Sequence, residues 1–221
     1  ETRQLEKQVT LFVALAIIFA PLNSTMIAVA LPDIVDDFSV SLTDAGWLIT
    51  GYLIAMASIQ PLSGKIGDRF GRRRLILGSI AGFGIASLVA AAAPNYETLL
   101  IGRLLQALTI ATVMPNGSAL VRDAVPAVRR AQGFGMIGAV AGVSAASGPP
   151  LGGLLVELAG WRAIFLMNVP VAIPLLYIGW KWLPRMETNN HTDERFDIVG
   201  AIWLPVILIA GASLLIFGLK G

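Results

Sequence analysis

The chain has 221 residues, of which 56% are hydrophobic and 14% charged. Soluble domains carry about 25% charged residues, so this composition excludes an ordinary soluble fold and predicts that lipid covers most of the surface. With no Cys and one His, the chain offers almost no ligands for a metal site, and we expect no metal and no cofactor. The net charge of +2 is too small to indicate a nucleic-acid partner.

Seven segments are apolar for about the 20 residues that a helix needs to cross a bilayer. Their length and their Ala, Leu and Gly content predict helices and not the short strands of a membrane barrel. The predicted spans are residues 10–31, 45–63, 75–93, 98–121, 133–156, 163–182 and 198–219. We therefore expect an all-α membrane protein with a six-span bundle at 1–185, a cytoplasmic linker at 186–197 and a seventh helix at 198–221.

The Lys and Arg residues predict the orientation. Thirteen of the sixteen fall in loops on one side of the predicted spans, two on the other side, and Arg103 lies inside span 4. Basic loops stay in the cytoplasm, so we expect a cytoplasmic N-terminus in a plasma or inner membrane and an external C-terminus. The chain begins with Glu1 instead of Met and stops one residue after Lys220, which predicts a fragment or a trimmed sequence.

A weak internal repeat relates the loop after span 2 to the loop after span 5. The matched residues lie 89 positions apart, on opposite sides of the predicted membrane, and they pair Gly64, Asp68, Gly71 and Arg73 with Gly153, Glu157, Gly160 and Arg162. Such a match is what an inverted repeat of three plus three spans requires, and transporters use that arrangement. The alternative is a pair of ordinary helix-end turns.

Span 4 carries a polar face. Gln106, Thr109, Thr112 and Asn116 follow Arg103 at spacings of three or four residues, which place them on one broad side of a helix. Inside a membrane such a face lines a cavity or contacts another helix, although an arginine can also snorkel to the headgroups. The candidate cavity and coupling residues are Asn23, Thr25, Tyr52, Arg103, Gln106 and Asn116.

Span 5 is rich in glycine. Gly138, Gly142 and Ala146 recur every four residues, which predicts a bare stripe for close helix packing. We expect Gly142 and Gly148 at a helix–helix contact. Pro149 and Pro150 remove two backbone donors, so we also expect a kink there. The expected packing and hinge residues are Gly138, Gly142, Gly148, Pro149, Gly152 and Gly153. The alternative is a tightly packed helix without a hinge.

These motifs resemble those of the major facilitator superfamily. GKIGDRFGRRR looks like its motif A, through Gly64, Gly67, Asp68, Arg69, Gly71, Arg72 and Arg73. The resemblance implies that Asp68 and the arginines form a charge network that gates conformation and biases the outward-open state. The glycine and proline order of span 5 resembles motif C, which marks antiporters. Span 4 resembles motif B and implies that Arg103 takes part in proton transfer by tuning a nearby acid.

The first span narrows the resemblance. LNSTMIAVALPDI looks like the first-span motif of the 14-span drug:proton antiporters, and FDIVG at 196–200 resembles the opening of their extra middle span. The resemblance covers essentially the whole chain and corresponds to an N-terminal half. Asn23 stands where that family usually has Asp, and Asn cannot titrate, which puts simple proton coupling through this half in doubt. Asn23 can still form a hydrogen bond with a substrate or with Arg103.

The function expected from these observations is secondary transport and not catalysis. The resemblance implies efflux of small, amphipathic molecules by proton antiport and alternating access, with a missing C-terminal half or a second copy as partner. One alternative is a half-size protein that acts as a homodimer or as a partner without transport. A seven-span receptor is disfavoured by the expected cytoplasmic N-terminus and, for an opsin, by Lys220 at the very end of span 7.

Overall fold

The computed structural model describes residues 2–184 as a bundle of six helical segments that are long and apolar enough to cross a membrane. We number them spans 1 to 6, at Arg3–Phe38, Leu42–Phe70, Arg72–Ala91, Tyr96–Ala124, Ala127–Ala159 and Arg162–Trp182. Each overlaps one of the first six predicted spans. The predicted linker at 186–197 and seventh span at 198–219 lie outside the described residues.

Several spans consist of more than one helix. Span 1 comprises α1 and α2, span 2 begins with the short α3 and continues as α4, and span 3 is α5. Span 4 comprises α6 and α7, span 5 is α8, and span 6 comprises α9 and α10. The helices are α1 Thr2–Ile17, α2 Phe19–Phe38, α3 Leu42–Ala45, α4 Trp47–Phe70, α5 Arg72–Ala91, α6 Tyr96–Ile110, α7 Val113–Ala124, α8 Ala127–Ala159, α9 Arg162–Leu166 and α10 Asn168–Trp182.

Spans 1 and 4 are interrupted at matching places. Span 1 breaks just before Pro21, and span 4 breaks just before Pro115. A proline has no N–H and leaves the carbonyl four residues earlier without its helical partner, here the carbonyls of Ile17 and Ala111. The two prolines fit the interruptions, although α2 and α4 continue through Pro32 and Pro61, and interrupted spans are where transporters build their sites.

The six spans pack as an inverted repeat. Span 1 packs on span 5 as span 4 packs on span 2, span 6 packs on span 1 as span 3 packs on span 4, and spans 3 and 6 pack on each other. Exchanging each span with the one three places further along leaves this pattern unchanged. Because consecutive spans run in opposite directions, the exchanged spans are antiparallel, and the predicted three-plus-three repeat is confirmed.

Two hydrophobic clusters fill the bundle. One is built mainly from α1, α5, α7 and α10, and the other from α2, α6 and α9. Tyr52 belongs to the first cluster and Phe165 to the second, and both rings face the guanidinium of Arg103. The buried arginine therefore lies between the two clusters.

Glycines of span 5 set its contact with span 1, but only in part as predicted. A Cβ atom at Gly148 would collide with Thr25, and one at Gly152 would lie 3.1 Å from the Cα of Met26. A Cβ atom at Gly142, by contrast, would have no atom of the described residues within 4 Å, and the same holds for Gly138. The expected contact exists at Gly148, whereas Gly142 has no such contact within residues 2–184, and its contact stays a prediction.

The spacing explains the difference at Gly142. Gly142 and Gly148 are six residues apart, which places them about 120° from each other around a helix of 3.6 residues per turn. Gly138 and Gly142 therefore share one face, and Gly148 and Gly152 share another. The helix α8 also continues without a break through Pro149 and Pro150, so the predicted kink does not interrupt it.

Candidate functional site

Arg103 is fully buried in the middle of the bundle and is held by spans on several sides. Its Nη1 donates to Asn23 Oδ1 at 2.5 Å and to Gln106 Oε1 at 3.0 Å, and its Nε donates to the carbonyl of Leu48 at 3.3 Å. The ring centre of Tyr52 lies 4.2 Å from its Cζ, close enough for a cation–π interaction. Arg103 therefore faces the bundle interior and does not snorkel to the headgroups.

The hydrogen bonds continue from Arg103 to spans 3 and 6. Gln106 Nε2 donates to Ser87 Oγ at 2.7 Å, and Asn168 Nδ2 donates to the same oxygen at 3.2 Å. Ser87 in turn donates to the carbonyl of Phe83. We call Asn23, Tyr52, Ser87, Arg103, Gln106 and Asn168 the Arg103 network. It joins spans 1, 2, 3, 4 and 6.

The structure brings together four of the six predicted cavity residues. Asn23, Tyr52, Arg103 and Gln106 belong to the Arg103 network, but Thr25 and Asn116 do not. Thr25 donates to carbonyls of its own helix. Asn116 is buried and donates to the carbonyls of Ser63 and Thr112, so it fastens span 4 to span 2.

Sequence reasoning missed Ser87 and Asn168 as partners of the network. Each is a single polar residue in an otherwise apolar stretch, so no polar face marks it. The signal available is that a buried polar group in a membrane needs a hydrogen-bond partner inside the bundle. That requirement says that a partner exists, and only the packing of spans 3 and 6 against span 4 says which one.

The Arg103 network contains no acidic side chain. No carboxylate within residues 2–184 lies within 4.0 Å of a guanidinium nitrogen of Arg103. The one buried acid among these residues, Glu6, pairs with Arg129 at 3.0 Å. The motif B role of tuning a nearby acid therefore has no acid to act on in the described part of the chain.

A cluster of charged residues joins spans 2, 3 and 4 at one end of the bundle. Arg72 donates to Asp68 through Nε at 2.9 Å and through Nη2 at 2.8 Å, and its Nη1 donates to Asp123. We call Asp68, Arg72 and Asp123 the Asp68 clasp. It places the motif A acid at the end of span 2, with Arg72 bridging to the end of span 4.

The other motif A residues surround this clasp. Arg73 donates to the carbonyl of Trp180 at 2.6 Å, which ties span 3 to span 6, and Arg69 stands over the ring of Phe70. A Cβ atom at Gly67 would collide with Asn116, whereas Gly64 has no described neighbour within 4 Å of such an atom. Gly71 has φ of 92°, a conformation that glycine adopts at little cost.

A second charged cluster joins spans 1, 3 and 6 at the opposite end. Arg162 donates to Asp37 at 2.8 Å and to the carbonyl of Ala93 at 3.2 Å, and Trp161 donates to the same carboxylate at 3.1 Å. The guanidinium also lies 4.2 Å from the ring centre of Trp161. We call Asp37, Trp161 and Arg162 the Asp37 clasp.

The Asp37 clasp corrects one prediction of the sequence repeat. Glu157 matches Asp68 in sequence, but it is exposed and has no hydrogen bond or ion pair among the described residues. The acid that Arg162 meets comes from span 1. The sequence offset paired Arg162 with Arg73, and both donate to a backbone carbonyl between spans 3 and 6, but the ion pair of Arg162 corresponds to that of Arg72.

The two clasps are nevertheless related by the repeat. Each arginine begins a span shortly after a glycine with positive φ, 92° at Gly71 and 76° at Gly160. Arg72 reaches from span 3 to the acid that ends span 4, and Arg162 reaches from span 6 to the acid that ends span 1. Exchanging spans 3 and 6 and spans 4 and 1 converts one ion pair into the other.

A bundle of inverted repeats with interrupted spans and a buried charge at its centre defines the class of helical membrane transporters. The sequence profile described as Major Facilitator Superfamily matches residues 13–219. The chain belongs to the major facilitator superfamily.

Curated relatives include an uncharacterized MFS-type transporter, YvkA, of Bacillus subtilis, which is 38% identical over 89% of this chain. The tetracenomycin C resistance and export protein of Streptomyces glaucescens is 35% identical over 95% of this chain. The chain spans 44% and 38% of the lengths of these relatives. A bacterial homologue of the human lysosomal transporter Spinster shares the fold, with a TM-score of 0.69, 20% identity, and coverage of 85% of this chain and 44% of that one.

Proposed function

We propose that this chain supplies the N-terminal half of a drug exporter of the major facilitator superfamily. The observation that carries the proposal is the closed inverted repeat around a buried arginine, in a chain 35% identical to a resistance and export protein. The complete protein then moves small amphipathic molecules across the plasma or inner membrane by alternating access. The bias of Lys and Arg supports a cytoplasmic N-terminus.

Proton antiport is the proposed energy source, and the chemistry of the Arg103 network limits how it works. Asn23 does not titrate, and the described residues offer no acid beside Arg103. An acid that exchanges a proton beside Arg103 must therefore come from outside residues 2–184. Everted membrane vesicles with an imposed pH gradient test the function, because accumulation of carboxyfluorescein, an aromatic dye read after lysis at one fixed pH, should collapse when the gradient is removed. Accumulation that is the same with and without the protein contradicts export.

We further propose that the bundle forms one wall of the transport pathway and needs a second half for the other wall. The chain is about two fifths as long as these relatives. The Arg103 network joins five of the six described spans around one buried arginine, and both observations support this reading. The proposed second half corresponds to the C-terminal part of the relatives, which this chain does not cover. A second copy of this chain is the alternative occupant.

The 221-residue chain alone should therefore move no substrate across sealed liposomes. The physical reason is that alternating access requires two bundles that rock against each other. Carboxyfluorescein uptake into proteoliposomes is the measurement, with the full-length protein as the positive control. Transport by purified chain that sedimentation shows to be monomeric contradicts the two-wall proposal, and transport by a dimer favours the alternative.

The two clasps are proposed to brace the two ends of the bundle so that it moves as one body. Arg162→Gln should reduce carboxyfluorescein efflux by the full-length protein, since it releases the ends of spans 1 and 3 from span 6. Thermal stability should change little, because both partners of this ion pair are about two fifths exposed and such pairs contribute about 0–1 kcal/mol. Lys181→Gln, a charge loss outside the Asp37 clasp, is the control, and equal efflux by both variants contradicts the brace.

A further inference from the structure

The guanidinium of Arg103 carries a charge that nothing in the described chain neutralises. The residue is 0% exposed, and its acceptors are an amide oxygen of Asn23, an amide oxygen of Gln106 and a backbone carbonyl. All three acceptors are neutral. A buried cation without a counter-charge is costly in a membrane interior, where such residues pair or line a pathway.

Three buried donors around this guanidinium also have no acceptor among residues 2–184. They are Nη2 of Arg103, Nδ2 of Asn23 and the hydroxyl of Tyr52, on residues that are 0%, 1% and 0% exposed. Asn23 is already bonded to Nη1 at 2.5 Å, and the ring of Tyr52 is stacked on the guanidinium at 4.2 Å. One free donor therefore belongs to the guanidinium itself, and the other two belong to residues that contact it.

A water molecule could supply the missing hydrogen-bond acceptor but not the missing negative charge. A water molecule can accept from a buried donor, but it brings no charge to compensate the guanidinium. A carboxylate accepts several hydrogen bonds through its two oxygens and pairs with arginine in the strongest type of charge-assisted bond. The missing group is therefore anionic, and the ring of Phe165, 5.9 Å from the guanidinium, adds an apolar side to the site.

We infer that Arg103, Asn23 and Tyr52 form a binding site for the carboxylate of a small aromatic anion carried as substrate. The inference rests on the proposed export function and names a substrate class for it. Because all three residues are sealed from solvent in this arrangement, the anion reaches them only when their side chains move apart between the two clasped ends of the bundle. A carboxylate side chain of the second half is the other possible source, and the experiment distinguishes the two.

Binding of sodium benzoate to the purified full-length protein tests the site without any transport. Benzoate should raise the thermal stability in detergent, and neutral benzamide of the same shape should not. Arg103→Gln should weaken benzoate binding by about tenfold or more, as the loss of one charge-assisted contact predicts. Tyr52→Phe keeps the ring and removes only an unpartnered hydroxyl, so it should weaken binding in a protein that folds normally.

A carboxylate placed at residue 23 provides a second test, in which we expect a gain of stability instead of a loss of binding. Asn23→Asp should raise thermal stability without any ligand, because it supplies the counter-charge to Arg103, and it should abolish the benzoate effect. Asn116→Asp is the matched control. It makes the same substitution at another buried Asn whose amide donates to Ser63 and Thr112, so it should lower stability while leaving benzoate affinity unchanged.

Each outcome decides the inference. Benzoate binding that survives Arg103→Gln, or equal binding of benzamide, overturns the site. If benzoate has no effect and Asn23→Asp does not stabilise, the second half already supplies the carboxylate, and the substrate inference is wrong. If benzoate has no effect but Asn23→Asp stabilises, the unmet charge is real but takes no soluble anion, which also overturns it. Benzoate binding with the expected variant pattern, in a protein that exports no drug, supports the site and contradicts only the export function.

Discussion

Asp68→Asn should lower the transport rate of the full-length protein about fivefold while leaving equilibrium binding of substrate nearly unchanged. Asp68 holds Arg72 through two nitrogen atoms, and Arg72 also holds Asp123. Loss of the carboxylate frees the arginine that joins spans 2, 3 and 4. The two acids of this clasp are 46% and 44% exposed, so each pair contributes about 0–1 kcal/mol, and a bias of about 1 kcal/mol between two conformations changes their ratio about fivefold.

Substrate binding should be spared because the Asp68 clasp and the Arg103 network share no residue. Efflux of carboxyfluorescein from cells and equilibrium binding of substrate to the purified protein are the two measurements. Asp33→Asn is the control, since Asp33 is an exposed acid with no ion pair among the described residues. A large loss of binding in Asp68→Asn would contradict a conformational role.

Gly148→Ala should lower the thermal stability of the protein in detergent. The added Cβ atom would collide with Thr25 and would also lie 3.2 Å from the carbonyl oxygen of Leu22, so spans 1 and 5 must separate. Overpacking of this kind costs about 1–3 kcal/mol. The measurement is the midpoint of thermal unfolding in detergent. It is followed with a fluorescent probe that reports unfolding or by the fraction of protein that stays monodisperse.

Gly142→Ala is the matched control for this change, because it is the same substitution in the same helix. A Cβ atom there meets no described atom within 4 Å. Alanine favours helix over glycine by roughly 0.5–1 kcal/mol, so Gly142→Ala should leave stability equal or raise it. Equal destabilisation by both variants would falsify the assignment of the two glycines to different faces.

Much of the fold follows from the sequence because lipid imposes simple requirements. Helix length, apolar content and the distribution of Lys and Arg predict the spans, and six of the seven predicted spans match helices of the described residues. The repeat was visible at four positions, and span packing confirms it. Helix ends were harder to predict. A count of apolar residues stops where polar residues begin, but a helix can continue into them, as α1 does at its polar N-terminal end.

The candidate site could be predicted only in part. Arg103 and Gln106 stand out because a charge and an amide inside a span need partners, and their spacing puts them on one face. Ser87 and Asn168 could not be assigned, since their roles depend on how spans 3 and 6 meet span 4. The partner of Arg162 could not be predicted for a related reason. The sequence offset suggested Glu157, whereas the structure pairs Arg162 with Asp37 at the end of span 1.

The pairing of spans across the two repeats has a consequence for how the chain is made. Span 1 completes its packing only when spans 5 and 6 are present, and Asn23 of span 1 meets its arginine only when span 4 is present. The first three spans therefore leave the ribosome with surfaces of span 1 that only later spans cover. We expect a nascent chain stopped after span 3 to be sensitive to proteases, and resistance to appear only once span 6 has been synthesised.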